Sequence, residues 1–475
     1  MERNILPFVF LLLNMPSLLS QIGLSFLKNE AIQFIDHNKE HWTRLSDSIW
    51  HYAEPSFKEY KSSRLIIETL RKEGFRISGS IEAFPTVFMA EYGEGKPIIG
   101  LYGEYDADFN ASNKTVPRRE ELVKEGMGHG GAHNLLGVGS LATALAIKAL
   151  MDTKKLSCTI RYYGSTAEGT LGTRAWLARG GFFKDLDLSL YWHPAPVTAA
   201  STRTWDALID FNVLITSKKV DVLRKDANAH HCQSAAERIL STIIQTKQAA
   251  ASSNKVNYSI ASWKNELGSP PDTVLLDVRI QCSRQSSALE IFSKIKKELN
   301  TLSDSNVTCA LELKRAHHQF LPNVTAMKQV FVNMQSLGPI MYSKEDLAYT
   351  QQLQAFLKKQ NDTIVDQLIP FQDVSADTTL YGHSSDIGEA SWFAPEIYFV
   401  VKCLPLGMKM HHWQGTAFTA HAIGHKGMLQ AAKIMAMTII DYVQKPDLQK
   451  KIHEEFKQTT RHYTYQSLVD DTIKK

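Results

Sequence analysis

Cysteine is scarce and scattered in this chain. Cys158, Cys232, Cys282, Cys309 and Cys403 include no C-x-x-C spacing. That excludes a disulfide-framework domain and a cysteine zinc knuckle. An oxidising compartment would permit one or two bridges, and the odd number leaves one thiol free or paired between chains. A surplus of charge is also missing. The formal net charge is +4 over 475 residues, with no long basic run and no basic-aromatic stripe, so nucleic acid is not an expected partner. Internal repeats and low-complexity tracts are absent too. What remains, 44% hydrophobic and 21% charged residues, is the balance of a soluble globular enzyme long enough for two domains.

The amino terminus carries a different signal. Residues 1–20 hold one early Arg, an apolar run at Ile5–Leu13 and small or polar residues at Pro16–Ser20, the pattern of a secretory signal peptide. Apolar residues resume at Ile22–Leu27, which is the competing pattern of a signal anchor. Asn14, Pro16 and Gln21 interrupt the run, so cleavage and no stable membrane span are expected. Sequons at Asn110, Asn113, Asn257, Asn306, Asn323 and Asn361 exceed the roughly two or three that chance supplies, pointing to a secreted glycoprotein.

The most informative stretch is Gly126–Gly137, a glycine-rich loop running into an apolar helix expected over Leu135–Leu150. His129 and His133 are four apart. If the helix already includes them, both imidazoles share one face and suit a metal. Otherwise the glycines make a turn and the histidines bond nearby backbone.

Acids and a histidine recur at strand ends around it. Strands at Thr86–Tyr92 and Pro97–Tyr102 read as a hairpin about Gly93-Glu94-Gly95-Lys96. The second leads into Gly103-Glu104-Tyr105-Asp106-Ala107. Cys158–Tyr163 leads to Glu168, and Leu186–Trp192 leads to His193. Open α/β sheets place chemistry at the carboxyl ends of their strands. Asp106, Glu168 and His193 are therefore candidate site residues, with His133 between them. From about residue 206 the order becomes strand-helix-strand-strand-helix-strand, the ferredoxin-like pattern. Residues 206–325 are expected as an inserted domain, with 26–205 and 326–475 forming the main α/β domain. The charged tail after Lys445 is expected to be surface-bound or mobile.

Together these segments resemble a known family. Gly103–Ala107, Gly128–Gly137, Ile160–Gly164, Trp192-His193-Pro194, Ser385-Asp386-Ile387-Gly388, His411-His412-Trp413-Gln414 and Gly424–Met428 resemble, in order and spacing, the metal-dependent aminoacylase/carboxypeptidase family. The likeness is strongest to the branch of bacterial p-aminobenzoyl-glutamate hydrolases. Plant indoleacetyl-amino-acid hydrolases are more distant. The resemblance implies a zinc-exopeptidase-like α/β/α catalytic domain with an inserted ferredoxin-like lid or dimerisation domain, and with it a possible homodimer. It implies two zinc or manganese ions that activate water against the amide of a small amino-acid conjugate. In the family loop G-H-x-C-G-H-N the cysteine bridges both metals. A Glu-Glu pair follows a later strand, the first acting as base and the second as ligand.

Carried over residue by residue, His133, His193 and His411 stand as ligands and Glu168 as the base. Gly131 stands where the bridging cysteine is expected, and Gly169 where the second glutamate is. The family's lid histidine is not recognisable; Arg224 falls near its position. The resemblance with these losses implies at most one tightly bound ion, or none. Two functions follow. One is a secreted binding protein with weak or no activity, a pseudoenzyme on an amidohydrolase fold. The other is an active single-metal amidohydrolase or dipeptidase using His133, His193 and His411, with Glu168 as base.

Overall fold

The first described residues form two helices separated by one residue. In the computed structural model, which describes residues 23–78, 84–166, 171–218, 225–264, 273–302, 306–359, 367–375 and 379–469, they are α1 (23–37) and α2 (Lys39–Tyr52). Asn38 separates them: its side-chain amide donates to the Phe34 carbonyl at 2.9 Å, a local bond that competes with the helix. Then come α3 (Tyr60–Lys72), β1 (Arg76–Ser78), β2 (Phe88–Gly93), β3 (Ile98–Gly103), α4 (His133–Asp152), β4 (Thr159–Gly164), α5 (Arg174–Arg179), β5 (Leu188–Ala195) and β6 (Ala199–Ala200). β7 (Ala207–Ser217), α6 (Lys225–Ala249), β8 (Asn254–Lys264), β9 (Thr273–Cys282), α7 (Gln285–Leu302) and β10 (Val307–His317) follow. The chain closes with α8 (Val324–Leu337), α9 (Lys344–Phe356), a 3-10 turn (Asp386–Trp392), β11 (Glu396–Lys402), α10 (Trp413–Thr419), α11 (Ala422–Gln444) and α12 (Pro446–Thr460).

One sheet runs β1-β2-β4-β3-β5-β11-β6. β4, β3, β5 and β11 run parallel to one another, so the carboxyl ends of β3, β4 and β5 share one edge. The expected β2–β3 hairpin is not formed. β4 lies between the two strands, antiparallel to β2 and parallel to β3. The reason is reach and burial. Skipping one strand requires about 9.6 Å, and the four residues Glu94–Pro97 can span about 13 Å. β4 in turn buries Ile160 and Tyr162 on one side and Thr159 and Tyr163 on the other, so it is stable only as an inner strand.

A second sheet, β10-β7-β9-β8, is antiparallel throughout. α6 and α7 pack on it around a separate apolar cluster that includes Phe211, Ile239, Val278 and Ile295.

α4 positions the site. It is long and apolar enough by composition to cross a bilayer, yet it is buried inside the protein, against α2, α11 and β3. Glycine permits the approach: a Cβ on Gly137 would stand 2.5 Å from the Glu104 carbonyl. The first residue of α4 is thereby held beside the carboxyl end of β3. The tail is bound to the surface as a helix over 446–460 that buries Ile452, and Val469 is buried beyond it. A sparse apolar face among lysines carries little periodic signal on its own.

All five cysteines are free thiols. Asn113 and Asn323 are buried and hydrogen-bonded, whereas Asn110, Asn257 and Asn306 are exposed. Residues 1–20 and Asn361 lie outside the described residues.

Candidate metal centre

Residues 104 and 106 follow β3 two apart. His133 opens α4, and His193 lies near the end of β5. These elements bring one ligand atom each from Glu104, His133 and His193 to within 4.8 Å of one another. Each ring is fixed through its Nδ1. His133 Nδ1–H donates to Asp106 Oδ1 at 2.8 Å, and His193 Nδ1–H donates to the Pro194 carbonyl at 2.7 Å. Metal-ligating histidines are oriented in this way, because the bond sets the tautomer that leaves Nε2 for the ion. His133 Nε2 stands 3.3 Å from Glu104 Oε2, and both atoms are buried without a hydrogen-bond partner. Buried polar atoms are rarely left so. Two imidazoles and a glutamate are a catalytic zinc set, so the residues fit a divalent ion.

Glu104 is held from behind. Its Oε1 accepts from the guanidinium of Arg174, a fully buried side chain. The same guanidinium bonds Asp386 Oδ1 at 2.7 Å, and the Arg174 backbone N–H bonds Asp386 Oδ2 at 2.9 Å. The faces of Tyr102 and Tyr191 flank the cation at 5.0 and 4.7 Å. One oxygen of Glu104 is therefore committed to Arg174 and the other turned toward His133.

The two histidines of the glycine-rich loop do not share a helix face. Ala132 is left-handed, with φ 65°, and α4 starts only after it. His129 is buried outside the helix, bonded through Nε2 to the Ile49 carbonyl at 3.0 Å. Burial, reinforced by the charge on His133, pulls its pKa down to about 4. His411 is not in the three-residue group. Its ring centroid is 6.4 Å from that of His133, and its Nδ1 bonds Asp108 Oδ1 at 2.9 Å. Asp106 touches the centre by orienting His133, and it also accepts from Ser56 Oγ at 2.7 Å. Glu168, Gly169 and Arg224 lie outside the described residues.

Glu104, Asp108 and Arg174 are the residues that reading the sequence did not single out. Glu104 had a signal: it stands two before Asp106 at the same strand end. Arg174 had none, because a lone arginine at a helix start reads as a surface cation.

The charges set a pH dependence. Burial lowers the pKa of His133, but Asp106 and Glu104 outweigh it and raise the pKa to about 10. Burial opposes ionisation of Asp106, yet the His133 partner brings it down to about 2. His193 is pulled down to about 3, first by burial and then by the His133 charge. In the metal-free protein His133 is thus an imidazolium at neutral pH. Its stabilising contribution is complete below the ordinary value of ~6.5 and is lost as pH rises through about 10. An ion must expel that proton, so affinity for Zn²⁺ should rise roughly tenfold per pH unit from 7 to 9. A flat profile by competition titration would show that His133 is already neutral.

The chain is similar to known proteins over most of its length. No protein-family model matches the chain. Over 488 residues it is 26% identical to one subunit of the p-aminobenzoyl-glutamate hydrolase of Escherichia coli (strain K12), covering 94% of this chain and 98% of that one. It is 24% identical to human Xaa-Arg dipeptidase over 459 residues, covering 91% and 93%. Among solved structures, a dinuclear metal-binding peptidase of the M20 family from Bacillus subtilis superposes with TM-score 0.56 at 13% identity, over 86% of this chain and 99% of that one. The aminobenzoyl-glutamate utilization protein of Klebsiella pneumoniae does so with TM-score 0.56 at 14% identity, over 88% and 100%. The chain is a homologue of this p-aminobenzoyl-glutamate hydrolase subunit and of Xaa-Arg dipeptidase, built on the fold of the M20-family metallopeptidases.

Proposed function

We propose that this protein is a metal-dependent amide hydrolase. Its centre is Glu104, His133 and His193, and its substrate an N-acyl or aminobenzoyl conjugate of an amino acid. One observation carries the reading: two histidines anchored at Nδ1 converge with a glutamate whose facing oxygen is buried without a hydrogen-bond partner. A divalent ion bound there supplies Lewis-acid polarisation of a carbonyl and a water acidic near neutrality. The protein's own residues do the rest. Asp106 orients His133 and stabilises its positive form. Arg174 keeps one Glu104 oxygen occupied and the other aimed. Glu168 is the base in this reading, taking the proton of the attacking water and passing it to the leaving amine.

A second reading has its own support. The His133–Glu104 contact at 3.3 Å is already an ion pair when His133 is protonated, and Gly131 offers no side chain to the centre. A metal-depleted binding protein would look the same here. Metal analysis of the purified protein beside hydrolysis of aminobenzoyl-glutamate decides between them. Stoichiometric metal with turnover at ~1–10³ s⁻¹ supports the hydrolase. Metal-free protein that binds conjugates without cleaving them supports the alternative.

We also propose that the chain is exported and glycosylated, on the amino-terminal pattern and the sequons. Expressed in eukaryotic cells, it should reach the medium and lose mass on glycosidase treatment, with glycans at the exposed Asn110, Asn257 and Asn306. Unglycosylated protein held in the cytosol would refute this.

A further inference from the structure

The inserted sheet joins the main domain at two crossings, and both grip the segment that holds Arg174. Asp206, immediately before β7, is fully buried. Its backbone N–H bonds the His383 carbonyl at 2.9 Å. Its Oδ1 accepts from the Tyr381 N–H at 3.0 Å, and its Oδ2 from the Gly382 N–H at 2.6 Å. Oδ2 also accepts from Gln281 Nε2, on β9, at 2.9 Å. One carboxylate therefore ties the inserted sheet to the turn at 381–383. The return crossing lies beside it, with the Phe320 N–H on the Trp205 carbonyl at 3.2 Å. There the His318 N–H bonds Glu389 Oε1 at 2.9 Å, and the Leu321 N–H bonds Ser391 Oγ at 3.0 Å. Both acceptors belong to the 3-10 turn that begins at Asp386.

The turn at 381–383 depends on these bonds. Its three residues are exposed, so burial of their own does little to fix them. Gly382 is at φ 89°, a region that glycine enters without steric cost. Only Ser384 and Ser385 separate this turn from Asp386. Ser385 is extended, at φ −150° and ψ 152°, which leaves little slack. A shift at residue 383 is thus passed to Asp386, and from there through the guanidinium of Arg174 to Glu104. Arg174 is fully buried between the faces of Tyr102 and Tyr191, so it has no free volume in which to absorb the shift.

We propose that Asp206 is a positioning residue of the metal centre: it fixes the turn at 381–383 and, through Asp386 and Arg174, the aim of Glu104, so that the inserted domain and a bound ion stabilise one another. This rests on the metal reading above and extends it to a residue that touches neither ion nor substrate. The coupling is reciprocal by thermodynamic necessity. Whatever the pinned turn adds to the affinity for the ion, the ion adds to the hold on the turn.

The test uses the full chain, with Zn²⁺ as the probe and no substrate. Competition with a fluorescent chelator reads affinity, and hydrogen exchange followed by mass spectrometry reads the junction. Asp206→Asn keeps the shape but turns an amide N–H₂ toward N–H donors. It should weaken zinc binding by at least about 5-fold, the low end of couplings between sites, with the circular dichroism of the parent. Gln281→Met removes one donor and keeps the carboxylate, so it should act in the same direction and less. Lys314→Ala breaks the pair with Asp277 at 2.6 Å, on the same sheet but sharing none of these bonds, and should leave the affinity unchanged. In the parent, zinc should slow exchange over 206–209 and 381–386 as well as around the centre itself. If Asp206→Asn fails to fold, Gln281→Met and exchange in the parent decide. Parent-like affinity in Asp206→Asn, an equal loss in Lys314→Ala, or exchange over 381–386 unmoved by zinc overturns the proposal and leaves the centre standing. A parent that binds no zinc overturns both readings together.

Discussion

Replacing His133 with alanine is expected to abolish tight divalent-metal binding and to destabilise the metal-free protein. The side chain has two jobs at one point. Its Nε2 is the atom facing Glu104, and its Nδ1 holds Asp106 at 2.8 Å. Changes in residues that merely orient a ligand typically cost about 10–100-fold in metal affinity, and loss of a ligand itself costs more. The second effect comes from charge. In the metal-free state His133 is the cation that Asp106, Glu104 and Asp108 share. Removing one partner of a buried ion pair costs about 3–5 kcal/mol, because the other charge is left uncompensated. Part of that loss should be recovered at low pH, where the stranded carboxylates can take protons. Hydrolysis should fall by at least ~10²–10³-fold, the cost of losing one electrostatic stabiliser. Competition with a fluorescent zinc chelator reads affinity, and urea unfolding in excess chelator reads stability. Parent-like affinity in folded His133→Ala would place the ion elsewhere.

Arg174→Met should be nearly as damaging, though the residue touches no substrate. The guanidinium has no exposure and is shared by Glu104 and Asp386, which are buried as well. Methionine matches much of its bulk but strands two carboxylates in an apolar setting between Tyr102 and Tyr191. A loss of about 3–5 kcal/mol is expected. The affinity for zinc should also change, because Glu104 loses the contact that commits one oxygen and aims the other. Arg174→Lys separates these effects. It restores the charge as a point donor but not the fork that meets two carboxylates at once. It should regain most of the stability and only part of the affinity. Unfolding of Arg174→Met within 1 kcal/mol of the parent would show that the cluster is neutral or hydrated.

Much of this protein is legible in its sequence because local pattern and buried position coincide. Apolar residues at helical or strand spacing mark α4, β4, β5, β9 and α11 within a few residues of where they lie. Acids and a histidine following apolar strands mark the edge where Glu104, Asp106 and His193 gather. Those features depend on neighbours in the chain, and the chain contains them. The resemblance of short motifs extends the same information, since it too is read in order along the sequence.

Other features depend on what the chain brings back from far away. The hairpin about Gly93–Lys96 is a sound local inference, and it fails because β4, more than 60 residues later, fits between its arms. The helix of the tail forms because Ile452 finds a place on the main core. Arg174 looks like a surface arginine until Asp386, 212 residues on, closes around it. His411 and Asp108 are 303 residues apart and meet only over the bare backbone of Gly131. Sequence alone determined which residue types could do chemistry and on which elements they ride. Tertiary structure decided which of them share a point, because charge and coordination act over a few ångströms of space and are indifferent to distance along the chain.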